Sequence, residues 1–350
     1  MTMTATNKPK HRLAASGWCK VAKENVIARQ MALAKFKLGD LGIEGGVGLR
    51  AVYLCGPPGV GKTQSIIEQE AVWRSRGLEP LRCRPTNVVE LLDYFEQARG
   101  VRPIVMEEAD IIFRSKPMFE VLKQATDPLT PDIFNRMKRV GKTKGMIPIR
   151  LNVPICVSTN MDLLHDAGWD AKLLPDRDAL FNRSMPVVIP NDPHALWEWS
   201  IYLALTSHLT MGVMLRNPTG GKPVAASNPL AVQANALNWF TDHIQYLAVI
   251  SPRTLKHVAQ LFGRAHRGDL PAVVLDSELQ ALLTDAPRVD LAVPLKADWS
   301  VLLKTMPKLL GPATAGGPSA SARKKTVPAR AHSASGPAKR SSERAREATA

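Results

Sequence analysis

The chain is most easily read from what it lacks. No run of about 18 apolar residues occurs, so nothing in it reads as a membrane-spanning helix. The opening stretch, Met1 to Arg12, is polar and basic without a hydrophobic segment; no secretory leader is expected, and the expected compartment is the cytoplasm. Only four cysteines are present in 350 residues, Cys19, Cys55, Cys83 and Cys156, and three of them fall within predicted core strands. That is the pattern of reduced thiols rather than of a disulfide frame or a zinc site. The eight histidines show no metal-ligand spacing with cysteine, and no Ser/His/Asp arrangement is legible.

Acid is in deficit as well. Against 46 Lys and Arg stand 31 Asp and Glu, a net charge of +15 that suggests a polyanionic partner. From Gly311 to Ala350 the chain is mostly Ala, Ser, Gly and Pro, with eight basic and two acidic residues. Such a segment has too little apolar surface to build a core, so it is expected to be a disordered basic tail able to neutralise phosphates without reading sequence. The chain as a whole is 45% hydrophobic and long enough for two domains.

What is present is a complete phosphate-binding loop. Gly56-Pro57-Pro58-Gly59-Val60-Gly61-Lys62-Thr63 has the form GxxxxGK[ST], preceded by a short apolar strand, Ala51 to Cys55, and followed by a helical pattern from Thr63 to Arg76 that Gly77 ends. The glycines let the backbone turn its N–H groups toward a β-phosphate, Lys62 adds a point charge for the β and γ oxygens, and Thr63 offers its hydroxyl to Mg²⁺. The following helix presents its positive end to the phosphates. The expected ligands are therefore ATP and Mg²⁺. A second Gly-Lys-Thr, at Gly141 to Thr143, lacks the upstream glycine and the strand, and reads as an ordinary basic loop.

Three further stretches supply the remaining chemistry. Ile104-Val105-Met106 is an apolar strand ending in Glu107-Glu108-Ala109-Asp110. Adjacent acids at a strand's C-terminal end place one toward the metal and the next toward the γ-phosphate, so Glu107 is assigned to the metal side and Glu108 to the attacking water. Leu151 to Asn160 reads as another buried strand, and its Asn160 is placed to hold that water or the γ-phosphate without adding charge. Ser251-Pro252-Arg253 opens a helix, with Ser251 as cap, Pro252 in the first turn, and Arg253 positioned to reach the γ-phosphate.

The order of phosphate loop, acidic strand, polar-ended strand, arginine, and Ser-Pro-Arg on a helix resembles the AAA+ ATPase family over roughly Ala22 to Arg267. Gly56 to Thr63 looks like its Walker A motif, and Ile104 to Asp110 like its Walker B, written EEAD where Asp is usual first. Asn160 is similar to sensor 1, Arg253 to sensor 2, and Arg183 to the arginine finger that projects toward a neighbouring subunit's nucleotide, with Arg177 as competitor. The Ser-Pro-Arg form resembles the MoxR-like branch; the compact layout also resembles ATPases of phages and plasmids. The resemblance implies a three-layer α/β parallel sheet, a small α-helical lid and assembly into a homo-oligomeric ring.

The expected boundaries are a flexible basic N-terminus at 1–20, the nucleotide-binding α/β domain at 21–190, the lid at 191–310 and the tail at 311–350. Val21 to Leu38 reads as one amphipathic helix leading to a glycine-bearing loop, Gly39 to Gly48, that the resemblance places near the adenine. Asn87 to Arg99 reads as a helix opened by Asn87 with Glu90. Pro193 to Arg216 and Pro229 to Leu247 read as lid helices, with Trp197, Trp199, Trp239 and Phe240 in the lid core. The insertion Asp127 to Arg150 carries Arg136, Lys138, Arg139, Lys142, Lys144 and Arg150 against Asp127 and Asp132, which suits either a nucleic-acid track in a ring channel or a solvated hairpin. Three activities fit: an ATPase remodelling or loading a DNA-containing complex, a MoxR-like protein-remodelling chaperone, and a nucleotide-switched scaffold that hydrolyses weakly.

Overall fold

The computed structural model describes residues 14–41, 50–98, 101–127, 132–133, 137–140, 143–146, 149–151, 153–163, 169, 171–207, 209–215, 224–288, 291, 294 and 297–310. The chain divides into two units, Met1–Ala313 and Thr314–Ala350, and every described residue belongs to the first. Among the described residues no helix is long and apolar enough to cross a membrane.

The strands in chain order are β1 (Ala51–Cys55), β2 (Leu81–Cys83), β3 (Ile104–Met106), β4 (Asp132–Ile133), β5 (Met137–Val140), β6 (Thr143–Met146), β7 (Ile149–Arg150), β8 (Ile155–Thr159), β9 (Met185–Val188), β10 (Gly212–Leu215) and β11 (Val224–Ser227). Five of them form a parallel sheet in the order β2-β3-β8-β1-β9. The period of two decides what each face buries. From β1, Ala51, Tyr53 and Cys55 face a core holding Phe95, Phe113, Phe119 and Trp169, under α5 (Val88–Ala98) and α6 (Lys116–Ala125). Val52 and Leu54 face the other side, with Ile66 and Trp73 of α4 (Lys62–Ser75) and Leu38 of α3 (Val26–Asp40). With helices on both faces, strands β1 and β8 are buried along their whole length, which is why β1 reads as an unbroken apolar run and β8 turns polar only at Ser158 and Thr159. This is the three-layer P-loop α/β fold. The strand that feeds the phosphate loop lies between β8 and β9, so the ends of β1, β3 and β8 open on one edge.

Local chemistry explains where the helices stop and start. Gly77, at φ +78, closes α4, with its N–H on Arg74 O and the N–H of Leu78 on Trp73 O. Asn87 accepts the N–H of Glu90 at 3.0 Å, while Glu90 takes the N–H of Thr86 at 2.8 Å. The single helix expected over Val21 to Leu38 is broken into α2 (Val21–Glu24) and α3. Asn25 is the cause. Its Oδ1 accepts from the N–H groups of Ile27 and Ala28, and its Nδ2 donates to Ala195 O and Glu198 Oε2, both at 3.0 Å. At 3% exposure an Asn with every polar position engaged outcompetes helix continuation.

The N-terminus expected to be flexible to residue 20 contains α1 (Ala15–Cys19). Trp18, 1% exposed, lies with ring centroids 5.8 Å from Trp197 and 6.0 Å from Trp299, so burial of one large ring orders the stretch. Those partners sit on α8 (Pro193–Thr206) and α12 (Trp299–Leu310), which pack with α9 (Leu230–Asp242), α10 (Pro252–His266) and α11 (Ala272–Gln280) as a further helical layer.

That layer is not wholly helical. The helix expected to run to Arg216 ends at Thr206, and β10 pairs antiparallel with β11. Gly212, a poor helix former, disfavours continuation of the helix there. The ribbon's root is a buried polar cluster: Asn228 donates to Thr210 O and Ala259 O, Thr210 to Gln233 Oε1, and Gln233 back to Asn228 O. Within the insertion at 127–150 the described residues pair as strands, β4 on β7 and β5 on β6, up to the pair Val140↔Thr143. Of the second Gly-Lys-Thr, Thr143 opens β6, and Gly141 and Lys142 lie outside the described residues. The basic side chains of the insertion, the tail from 311 and residues 42–49 of the glycine-bearing loop lie outside the described residues. Cys55, Cys83 and Cys156 are buried free thiols.

Candidate nucleotide site

The phosphate loop is held in a conformation that side chains would spoil. Gly56 has φ +142, and a Cβ there would stand 2.5 Å from Ile189 O. Gly59 has φ +81, and a Cβ would stand 2.9 Å from Ser251 Oγ and 3.1 Å from the Cβ of Arg253. Glycine is required twice at each, for backbone angle and for close approach. The second contact matters for function, because Ser251 caps α10, accepting the N–H of Thr254 at 3.1 Å. The loop therefore touches the helix that carries Arg253. It touches α8 too, where Trp199 Nε1 donates to Val60 O at 3.0 Å.

Lys62 opens α4 and is 6% exposed. Its ammonium donates to Gly56 O (2.6 Å), Pro57 O (2.9 Å) and Asn160 Oδ1 (3.0 Å). Burial lowers its pKa from the usual 10.5 to about 8; Asp110 opposes the shift and Arg253 adds to it. The cation is thus caged by dipoles, which compensate a charge less well than an anion does. Thr63 follows, exposed in the first turn.

On the β3 side of the cleft both acids are held by arginines. Arg82 Nη1 donates to Glu107 Oε2 at 3.0 Å, and Arg84 Nη2 lies 3.8 Å from the same oxygen. Glu108 pairs with Arg84 Nη1 at 3.1 Å, both side chains being more than half exposed. Glu108 has φ +53 and ψ +41, the only positive φ outside glycine among the described residues, where the chain turns from β3 into the 3-10 helix Ala109–Arg114. That conformation costs on the order of 1 kcal/mol for a residue with a Cβ. It swings the Glu108 carboxylate out of the strand and into the cleft wall.

Asp110 is the residue to which the motif reading assigned no role. Its Oδ1 accepts the Thr159 hydroxyl and, at 2.9 Å, the backbone N–H of Asn160. It fixes the turn that presents the Asn160 amide to Lys62. The available signal was its place in the acidic run, two residues beyond Glu108.

A cleft of about 930 Å³ joins these parts, within the range of small-molecule sites. Pro58 to Thr63, Glu107, Glu108, Asn160 and Arg253 all line it. Gly56 and Pro57 stand behind it, supplying the carbonyls that hold Lys62. Of the four aromatics expected in the lid core, Trp197 and Phe240 are buried there and Trp199 and Trp239 pack half-buried against it; Trp199 also lines the cleft, stacked on Tyr202 with an interplanar angle of 18°. Arg183 ends α7 (Leu174–Arg183), and its side chain lies outside the described residues. Its competitor Arg177 is 20% exposed and lies 3.6 Å from Asp178. For Mg²⁺, the Thr63 hydroxyl and the Glu107 carboxylate border the same space; two hard oxygen donors, completed by phosphate oxygens and water, suit that ion. Among the described residues no group of three or more His, Cys, Asp and Glu forms a metal cluster.

The parallel strand order β2-β3-β8-β1-β9, with the phosphate loop after β1, is a P-loop α/β fold and agrees with the arrangement that the motif resemblance to the AAA+ ATPases implies. No family model matches it, and no curated protein matches it in sequence. Similar solved structures include the replication initiator DnaA bound to AMPPCP and single-stranded DNA, at 12% identity and a TM-score of 0.39, covering 68% of this chain and 63% of that one. AMPPCP-bound DnaA from Aquifex aeolicus is similar at 12% identity and a TM-score of 0.43, covering 77% and 70%. The Thermotoga maritima RuvB Holliday junction branch migration motor is similar at 13% and 0.34, covering 87% and 74%.

Proposed function

We propose that this chain is an ATPase that binds ATP with Mg²⁺ in the cleft, assembles into a homo-oligomeric ring and acts on a DNA-containing complex. The observation that carries the ATP reading is Lys62: a buried ammonium caged by loop carbonyls, at the N-terminus of α4, is a site waiting for an anion. Phosphate oxygens would take the place of the Gly56 and Pro57 carbonyls on Nζ. Bound Mg²⁺ would neutralise charge on the β and γ oxygens, held by Thr63 and Glu107. Glu108 accepts the proton of the attacking water once its exposed pair with Arg84 parts, and such a pair is worth at most about 1 kcal/mol. Asn160 orients that water, Arg253 meets the γ-phosphate from α10, and Arg183 serves a neighbour's nucleotide. The DNA assignment is supported by the net charge of +15, by the basic insertion at 127–150 and by the tail at 311–350.

A second reading, a nucleotide-switched scaffold with weak hydrolysis, is favoured by one observation: both acids are held by arginines. ATP turnover measured with and without DNA across salt, alongside the mass in ATP, separates the readings. The expected result is a multimer whose turnover rises with DNA and loses that gain as salt increases. Turnover indifferent to DNA at every salt removes the DNA assignment; tight ATP binding with no turnover in the assembled state selects the scaffold.

A further inference from the structure

Arg82 carries a charge that neither the phosphate loop nor the attack on phosphorus uses. It is the middle residue of β2, whose burial runs buried, exposed, buried, so its side chain leaves the sheet on the face opposite Leu81 and Cys83. There it meets α4. Its Nε and Nη2 donate to the two carboxylate oxygens of Glu70, at 2.7 and 3.0 Å, in the side-on bidentate geometry that fixes a guanidinium plane. Nη1 is left, and it donates to Glu107 Oε2 at 3.0 Å. Glu70 is 2% exposed and Glu107 12%. Arg82 is thus a rigid bridge from the helix that the phosphate loop opens to the acid at the end of β3.

The bridge accounts for a departure in the motif. Asp is usual at position 107, and Glu is longer by one carbon–carbon bond, so an unrestrained Glu carboxylate would overreach the place where an Asp carboxylate stands. We propose that Arg82, anchored by Glu70, is a positioning residue that draws the Glu107 carboxylate back toward α4 and so sets its reach to the divalent cation. The inference rests on the nucleotide reading of the cleft. It makes Glu107 and Arg82 a matched pair: either one alone in altered length or charge puts the carboxylate in the wrong place.

The test is the Mg²⁺ concentration at which a fluorescent ATP analogue reaches half its maximal binding enhancement, with binding in EDTA as the metal-free reference. Loss of a residue that orients a metal ligand costs about 10- to 100-fold in metal affinity, so Arg82→Gln should raise the half-saturating Mg²⁺ at least tenfold while leaving binding in EDTA unchanged. Glu107→Asp alone should also raise it, because Arg82 holds the shorter carboxylate out of reach. The double variant Arg82→Gln with Glu107→Asp should return toward wild type. Arg82→Lys, which keeps a charge beside buried Glu70 but cannot bridge both acids, should show the same Mg²⁺ shift and guards against a folding defect, checked by melting. An unshifted Mg²⁺ midpoint in folded Arg82→Lys, or a double variant no better than Arg82→Gln, overturns the inference. Wild-type protein that binds no analogue at any Mg²⁺ concentration, or in EDTA, instead takes down the nucleotide reading itself.

Discussion

The two walls of the cleft, the phosphate loop and the end of β3, solve opposite electrostatic problems. At the phosphate loop, Lys62 is 6% exposed and rests on two carbonyls and an amide, with burial pushing its pKa down to about 8. At the end of β3, Glu107 and Glu108 already face Arg82 and Arg84. A cation held by dipoles gains from an anion; a carboxylate held by arginine gains little until the arginine leaves. Affinity for phosphate should therefore be generated at the loop, and turnover gated at the acids.

The sharpest way to break this division is Lys62→Ala. It should reduce ATP binding by at least about 100-fold, on the order of the 3 kcal/mol that a charge-assisted contact to phosphate supplies, read by titration of a fluorescent analogue. Unchanged affinity would mean that the loop is not where phosphate is held. Glu108→Gln is its counterpart: binding should persist while turnover falls by about 10²- to 10⁴-fold, the usual contribution of a positioned base. Normal hydrolysis in that variant would move the base elsewhere.

The pH dependence sharpens the comparison further. Lys62 titrates near 8 in the folded chain against 10.5 ordinarily, so the folded state binds fewer protons than the unfolded state between those values. Its buried charge costs stability below pH 8, and the cost is relieved as pH rises toward 10.5. Nucleotide binding has the other sign: above pH 8 the phosphates must recruit a proton to Lys62, and affinity should fall by up to about tenfold per pH unit, with proton uptake visible in calorimetry in two buffers. An affinity flat to pH 9.5 would contradict the cage. The smallest effect is expected for Ser251→Ala, which removes the α10 cap that packs on Gly59; about 1 kcal/mol should be lost in thermal or denaturant melting.

How much of this could be read in the sequence follows the same line. β1, the loop and α4 were legible because each demand is local: a buried run, glycines at positive φ, a helix closed by Gly77. The start of α10 was legible because cap and proline adjoin. What escaped depends on partners far along the chain. Asn25 breaks a helix only because Ala195 and Glu198 accept its amide across 170 and 173 residues. β10 and β11 carry no alternation strong enough to outweigh the helical pattern before them, and their root is assembled from Thr210, Asn228 and Gln233. Arg82, Arg84 and Asp110 drew no role from the sequence, because only the placing of β2 beside β3, and of β3 beside β8, brings them to the acids and to Asn160.

The most direct test of the account is a structure of the protein with a non-hydrolysable ATP analogue and Mg²⁺. The account predicts the triphosphate on the N–H groups of residues 59–63, with Lys62 Nζ moved from the Gly56 and Pro57 carbonyls onto phosphate oxygens. A bound analogue that leaves Lys62 on those carbonyls, or that sits outside the cleft, would contradict it.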